Sequence, residues 1–239
     1  MISSASESAT RGNDVLSDIQ RRLPAAVMEI IFDIGANVGQ STERFNAYFP
    51  SAAIWSFEPA SEFYSELSNR FSNITSIRCE RLAVGATEGE VELALTTWPT
   101  MNHVATQSEK LPSPIAVKGL EKVAMTTLDK YCSRNNIPRI DFLKIDTEGF
   151  DLEVLRGTTS LISRGLISFI QCECSVTPDN RYHCSLETIR HFLEHLGHRL
   201  FGFYDQAEDW TTGAPNLRRV NAVFISPDIM RQGRLPHSS

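Results

Sequence analysis

The strongest constraint on the fold is the alternation of short apolar runs with helical patterns along most of the chain. Runs such as "MEIIFDI" and "AAIWSFEP" are typical of buried strands, whereas "SEFYSELSNRF" repeats its apolar residues at the spacing of a helix. Strands that alternate with helices form a mostly parallel sheet with helices on both faces. The last two strands, "HRLFGFY" and "VNAVFIS", are separated by a polar loop, so we predict an antiparallel pair at one edge.

The organisation of the chain follows from its length and its even composition. The 239 residues fit one large α/β domain or two small ones, and no internal repeat or second composition regime divides them. We therefore predict a polar, partly helical extension over residues 1–26, a single domain over 27–228 and a flexible tail over 229–239. The longest irregular stretch, about 98–120, is rich in Thr, Ser and Pro and predicts a lid-like insertion over a cleft.

The net charge and the cysteine content limit the classes of binding partner and the cellular compartment that we expect. The net charge of −6 disfavours nucleic acid and anionic membranes, because both attract a basic face. No apolar run approaches the ~18 residues of a membrane span, and the polar N-terminus lacks the apolar core of a signal peptide. The five cysteines, an odd number, predict reduced thiols in a cytoplasmic protein. Cys172 and Cys174 are expected to be buried and apolar, the alternative being a metal cluster with His183 and Cys184.

A turn rich in glycine follows the first strand, in "IFDIGANVGQS". Gly35 permits a tight turn, and Gly39 would let the backbone approach a ligand at the start of the next helix. The dinucleotide fingerprint is Gly-x-Gly-x-x-Gly, but here Asn37 stands at the second glycine position and Asp33 precedes the turn. A carboxylate repels a pyrophosphate and attracts an ammonium group. The turn therefore suits S-adenosylmethionine (SAM) better than NAD.

An acid also ends the second strand, in "SFEP". Glu58 lies 19 residues after Gly39, where an acid can accept hydrogen bonds from both hydroxyls of a ribose. Together with Asp33, it predicts a nucleoside-containing cofactor with a cationic end.

The segment "KIDTEGFD" places Asp146, Glu148 and Asp151 within six residues, close to Lys144. Three interpretations are open. One carboxylate could be the general base for a substrate hydroxyl. Two of them could hold a divalent cation that acidifies this hydroxyl. Glu148 could instead cap the helix that begins at Gly149–Phe150.

Three further side chains are candidates for catalysis. Glu173 ends the fifth strand, where it either faces the substrate cleft or forms a buried pair with Arg or Lys. His103 lies in the long irregular stretch, and His183 lies in "DNRYHCS". Histidine has a pKa near neutrality and so suits proton removal, while the alternative for both is a solvated loop residue. We take Asp146, His103, Glu148 and Glu173 as the catalytic candidates.

Several motifs occur together and in order: "FDIGANVGQST", "FEPASEFYSEL", "LAVGATEGEVEL", "TTLDKYC", "IDFLKIDTEGFDLEVLRG" and "NAVFI". With them the chain resembles the FkbM-type methyltransferases, a branch of the class I SAM-dependent enzymes, over roughly Glu29 to Ser226. The resemblance implies a Rossmann-like α/β fold, with a mostly parallel seven-stranded sheet whose last strand is antiparallel. It also implies methyl transfer, most often to a hydroxyl oxygen of a sugar, polyketide or other secondary metabolite.

The resemblance also implies roles for individual residues. The methionine end of SAM would be surrounded by the turn residues Asp33, Gly35, Ala36, Asn37 and Gly39. Glu58 would bind the ribose, with Pro59 beside it, and Ala83 and Val84 would line the adenine. Asp146 would face the sulfonium and the acceptor. Where family members often show a small hydroxyl residue, this chain reads "MNHV", which leaves the roles of Asn102 and His103 open.

We expect a small hydroxylated acceptor, a reaction without a metal, and a protein that can form a homodimer. A divalent cation on Asp146 and Glu148 is the alternative for the metal. Two other functions remain open. A nicotinamide-dependent oxidoreductase would need the glycine fingerprint that is missing here, and a non-catalytic SAM-binding or interaction module would need neither a base nor a lid.

Overall fold

The computed structural model describes residues 14–98, 101–106, 115–209 and 211–232. The helices are α1 Val15–Arg22, α2 Gln40–Tyr48, α3 Ser61–Phe71, α4 Leu128–Arg134, α5 Asp151–Arg156, α6 Thr159–Ser163, α7 Leu186–His195 and α8 Pro227–Gln232. The strands are β1 Ile30–Ile34, β2 Ala53–Phe57, β3 Ile77–Glu80, β4 Ala83–Val84, β5 Gly89–Thr96, β6 His103–Val104, β7 Val117–Thr126, β8 Ile140–Ile145, β9 Ile167–Ser175, β10 Arg199–Asp209 and β11 Ala214–Ile225.

Seven strands form the central sheet, in the order β10-β11-β9-β8-β1-β2-β3. The neighbours from β9 to β3 are parallel, and β11 runs antiparallel to both β9 and β10. This order confirms the predicted Rossmann-like α/β fold and the antiparallel last strand. It also confirms the antiparallel pair at one edge.

The central strands are apolar on both faces because helices cover both. Phe32, Leu143 and Ile170 point into the core under α4 to α7. The residues that alternate with them, such as Ile31 and Phe142, point into the core under α1, α2, α3 and α8. The predicted helical segment after β8 is interrupted at Gly157, where a side chain would collide with the backbone oxygen of Gly85.

A second, four-stranded sheet lies in the order β4-β7-β5-β6 and corrects one prediction. The chain leaves the central sheet after Glu80, and Ala83–Val84 pairs with Met125–Thr126 in the second sheet. The stretch 98–120 was expected to be irregular, but it contains β6 and the beginning of β7. Both strands form because β5 offers its two edges to them.

The predicted extension, tail and lid are only partly covered by the described residues. α1 lies in the predicted extension and packs Val15, Leu16 and Ile19 into the central core. The predicted extension before residue 14, the tail after 232 and the centre of the lid, 107–114, lie outside the described residues. None of the helices in the described part of the chain is long and apolar enough to cross a membrane.

Candidate active site

The carboxyl ends of β1, β2 and β8 border a cavity of about 230 Å³, here called the main cavity. The second sheet forms its opposite wall. Its wall includes the apolar side chains of Phe57, Phe63 and Leu93 together with the acidic residues Asp146 and Glu148. A cleft at the carboxyl ends of parallel strands is where α/β sheets bind ligands.

The glycine turn is tied to both neighbouring strands. The amides of Gly35 and Ala36 donate to the carbonyl of Phe57, each at 3.0 Å. Gly35 has a φ of +79°, and a Cβ there would lie 1.8 Å from the carbonyl oxygen of Asp146. Only glycine can therefore bring β1 this close to the end of β8.

Two residues of this turn lie elsewhere than expected. Gly39 was predicted to let the backbone approach a ligand, but it is outside the wall of the main cavity, and a Cβ there would collide with Leu67 and Phe71. Its small size serves the packing of α2 on α3. Ala36 is buried in the core and does not line the cavity either. Gly35 and Asn37 do line it.

Glu58 is buried, yet it lines the main cavity. Its carboxylate accepts hydrogen bonds from the amides of Asn37 and Ala60, each at 2.9 Å. Burial raises the pKa of this carboxyl to about 7. Glu58 therefore fixes the glycine turn and keeps further acceptor capacity for a ligand in the cavity. Pro59, Ala83 and Val84 also line the cavity.

Asp33 does not line the main cavity, contrary to the expectation from the sequence. It is fully buried behind the cavity wall, where it accepts a hydrogen bond from the Thr42 hydroxyl at 2.8 Å. Lys144 lies between two carboxylates, with Nζ 3.3 Å from Asp33 and 3.2 Å from Asp146. The expected direct contact of Asp33 with a ligand's ammonium group is thus corrected, because its charge is compensated inside the protein. Burial alone would lower the pKa of Lys144, but the two carboxylates outweigh it and raise the pKa.

Asp146 is a partly exposed carboxylate in the cavity wall. Its side chain is 33% exposed. It lines the main cavity and also a second cavity of about 110 Å³, which lies toward α1 and α2. Asp146, whose carboxylate pairs with Lys144, therefore belongs to the walls of both cavities.

Glu148, His183, Glu173 and Arg219 form a continuous chain of charges. His183 Nε2 lies 2.8 Å from Glu173 and 3.6 Å from Glu148, and Arg219 donates to the other oxygen of Glu173. Burial would lower the pKa of His183, but its contacts with the two carboxylates outweigh this and raise the pKa to about 10. Burial raises the pKa of Glu148 to about 7.

This cluster resolves several of the open interpretations. Glu173 is the buried acid paired with an arginine rather than a wall of the main cavity. Glu148 is not the helix cap, because the N-cap of α5 is Phe150 and no side chain makes a capping hydrogen bond there. Among the described residues, Glu148, Glu173 and His183 are the group whose ligand atoms, all within 4.8 Å of one another, could hold a metal ion.

His103 is buried rather than solvated and lines the main cavity. Its Nδ1 donates to the carbonyl of Met101 at 2.8 Å, and its ring meets Tyr182 edge-on. Burial lowers its pKa, so it is neutral near pH 7. Asn102 also lines the cavity and accepts a hydrogen bond from the Thr96 amide. Cys172 and Cys174 are fully buried in the core.

The known proteins that resemble this chain are methyltransferases. A family model described as the methyltransferase FkbM domain matches residues 33–200. "Methyltransferase 1" of Beauveria bassiana is 28% identical over 144 residues, which are 53% of this chain and 57% of that protein. The "hexuronic acid methyltransferase AglP" of Haloferax volcanii is 21% identical over 63% of this chain and 58% of its own length. The "2-O-methyltransferase NoeI" of Sinorhizobium fredii is 22% identical over 56% of this chain and 59% of its own length. The matches thus span less than two thirds of each of these relatives.

Proposed function

The chain belongs to the FkbM methyltransferase family, and on that premise we propose that it transfers a methyl group from SAM to a hydroxyl oxygen of a small-molecule acceptor. The observation that carries this proposal is the position of Asp146 in the walls of both cavities. One cavity has the features of a nucleoside site, and the other adjoins it at a carboxylate that can receive a proton. The family assignment replaces the alternative of a nicotinamide-dependent oxidoreductase.

The residues of the main cavity fit SAM. Glu58 would accept the ribose hydroxyls, and the apolar side chains of Phe57, Phe63 and Leu93 would hold the adenine. Gly35 and Asn37 would surround the methionine end. When bound, SAM supplies a methyl group on a sulfonium, which is a good leaving group.

The protein's own residues then have two tasks. The first is to hold the acceptor oxygen in line with the methyl carbon, and such positioning contributes about 7–11 kcal/mol to catalysis. The second is to remove the hydroxyl proton as the carbon–oxygen bond forms and the carbon–sulfur bond breaks. We assign proton removal to Asp146, since it reaches both cavities. Lys144 would fix its carboxylate, and Glu148 and His103 would border the bound SAM in the main cavity.

Two relatives support an acceptor of the sugar or oxygen type. One is named as a 2-O-methyltransferase, which supports transfer to oxygen, and the other is named as a methyltransferase of hexuronic acid, which supports a sugar-derived acceptor. A sugar hydroxyl is therefore the first acceptor class that we propose, ahead of polyketides and other secondary metabolites. We also propose a cytoplasmic location, because all five cysteines lie in the described part of the chain as thiols rather than disulfides. A homodimer stays a prediction.

The test is formation of S-adenosylhomocysteine (SAH) from SAM with a panel of hydroxylated acceptors, each assayed with and without EDTA. We expect turnover with at least one acceptor and no effect of EDTA, because His183 and Arg219 already neutralise the carboxylates of the possible metal group. Activity that is lost in EDTA and restored by Mg²⁺ or Mn²⁺ would assign a metal to this group. Binding of SAH without turnover on any acceptor would favour the non-catalytic module.

A separate prediction concerns Glu58. Replacing Glu58 with Ala removes a ribose acceptor and the partner of the Asn37 and Ala60 amides, so it should weaken SAH binding by about 1.5–3 kcal/mol. Calorimetry measures this loss. Glu62→Ala, on the exposed side of α3, is the matched control and should bind SAH like the unmodified protein. An unchanged affinity of a folded Glu58→Ala variant would refute the ribose assignment.

A further inference from the structure

The second cavity lies on the face of the central sheet that α1 and α2 cover. Along β8, β9 and β11, this face carries Phe142, Phe169 and Val223, which lie in the core. Lys144 and Gln171 follow Phe142 and Phe169 by two residues on the same face and stand directly opposite each other. Asn221 precedes Val223 by two residues on β11, and all three polar residues line the cavity. Polar side chains on three neighbouring strands beneath two helices indicate a site for a polar molecule.

Gln171 is the most informative of these side chains. The residue is only 5% exposed and points into the second cavity. Within the described residues, no side chain or backbone group forms a hydrogen bond with the side-chain amide of Gln171. Buried amides are almost always hydrogen-bonded, so the missing partner is to be sought in what the cavity holds. The volume of about 110 Å³ far exceeds the roughly 10–15 Å³ that one water needs.

The remaining wall defines the chemistry of the occupant. Ser41, Asp205 and Asn221 add a hydroxyl, a carboxylate and an amide, so donors and acceptors surround the space together. Hydroxyl groups, which both donate and accept, match such a wall. Phe45 and Leu16 add an apolar floor of the kind that suits the C–H face of a sugar ring.

Charge selects among polar molecules. Arg44 pairs with Asp14, and Lys144 pairs with Asp33 and Asp146. Both cations in this wall are thus already neutralised by carboxylates of the protein. The wall therefore favours a neutral polyol over a phosphorylated or carboxylated one.

We propose that the second cavity is the acceptor site and that it binds a neutral, polyhydroxylated molecule of the sugar type, with Gln171 as a determinant of specificity. This inference rests on the proposed function, since Asp146 would receive the proton of a hydroxyl held in this cavity. Gln171 binds the acceptor and takes no part in binding the methyl donor, because it is outside the wall of the main cavity.

The experiment measures binding of neutral methyl glycosides and inositol to the SAH-loaded protein by saturation-transfer NMR. We expect binding to the unmodified protein and at least a tenfold weaker affinity in Gln171→Leu, which keeps the size of the side chain. SAH affinity should be unchanged in this variant, which also shows that it is folded. Gln20→Leu, on the exposed face of α1, is the matched control and should bind the glycosides normally.

The outcomes separate this inference from the proposed function. If no neutral polyol binds, or if Gln171→Leu binds as well as the unmodified protein, the acceptor site is refuted even when methyl transfer is observed. If the glycosides bind through Gln171 but receive no methyl group, the site stands as a sugar site and the proposed function fails. Preference for methyl glucuronides over the neutral glycosides would overturn the charge argument and with it the proposal of a neutral acceptor.

Discussion

Asp146→Asn is expected to lower kcat for methyl transfer by about 10²- to 10⁴-fold, the range that a general base contributes. The amide keeps the shape of the side chain but cannot take the proton of an acceptor hydroxyl. SAH affinity should change little, because Glu58 and the glycine turn remain in place. Initial rates of SAH formation at saturating SAM and acceptor measure the effect.

A matched control separates this effect from a general loss of charge. Asp228→Asn removes an exposed carboxylate that pairs with Arg231 at the surface and should leave kcat unchanged. A kcat of Asp146→Asn equal to that of the unmodified protein would show that proton removal occurs elsewhere, and Glu148 and His103, which line the same cavity, would be tested next.

Lys144→Met is expected to lower the free energy of unfolding by about 3–5 kcal/mol, the usual cost of removing one partner from a buried ion pair. Asp33 would then keep a buried negative charge whose remaining side-chain partner is the Thr42 hydroxyl. Urea denaturation, followed by circular dichroism, measures the change.

The control for this variant is another lysine with a carboxylate at close range. Lys130 lies 2.6 Å from Glu88, but its side chain is 59% exposed, so Lys130→Met should cost at most about 1 kcal/mol. The double variant Asp33→Asn/Lys144→Met should recover part of the stability, since the uncompensated charge is gone. A loss below about 1 kcal/mol in Lys144→Met would contradict the account of Lys144 as the cation that holds Asp33 and Asp146.

The sequence predicted the central sheet because its strands are continuous apolar runs bounded by polar turns. The pattern of α3 was equally clear, and the helix spans Ser61–Phe71 as predicted. The second sheet was missed because Ala83–Val84 and His103–Val104 are too short to show any period. Two-residue strands form only where a longer partner is already in place, and β7, the partner of β4, lies far along the chain from it.

The sequence predicts which residues lie at the site where this depends only on their position at the end of a strand. Glu58 and Asp146 line the main cavity because each follows the last residue of a parallel strand. Asp33 could not be placed in this way, since its environment depends on the register of β1 and β8, which sets Asp33 directly opposite Lys144. The contact of His183 with Glu173 likewise joins a loop to a strand, and no local pattern encodes it.

The most direct test of the account is the fate of a ¹³C-labelled methyl group from SAM in the presence of neutral glycosides. We predict an O-methyl carbon signal on the sugar, formed together with SAH and absent from reactions with Asp146→Asn. A labelled methyl group on nitrogen or carbon, or SAH binding with no transfer to any hydroxylated acceptor, would contradict the proposal of an O-methyltransferase.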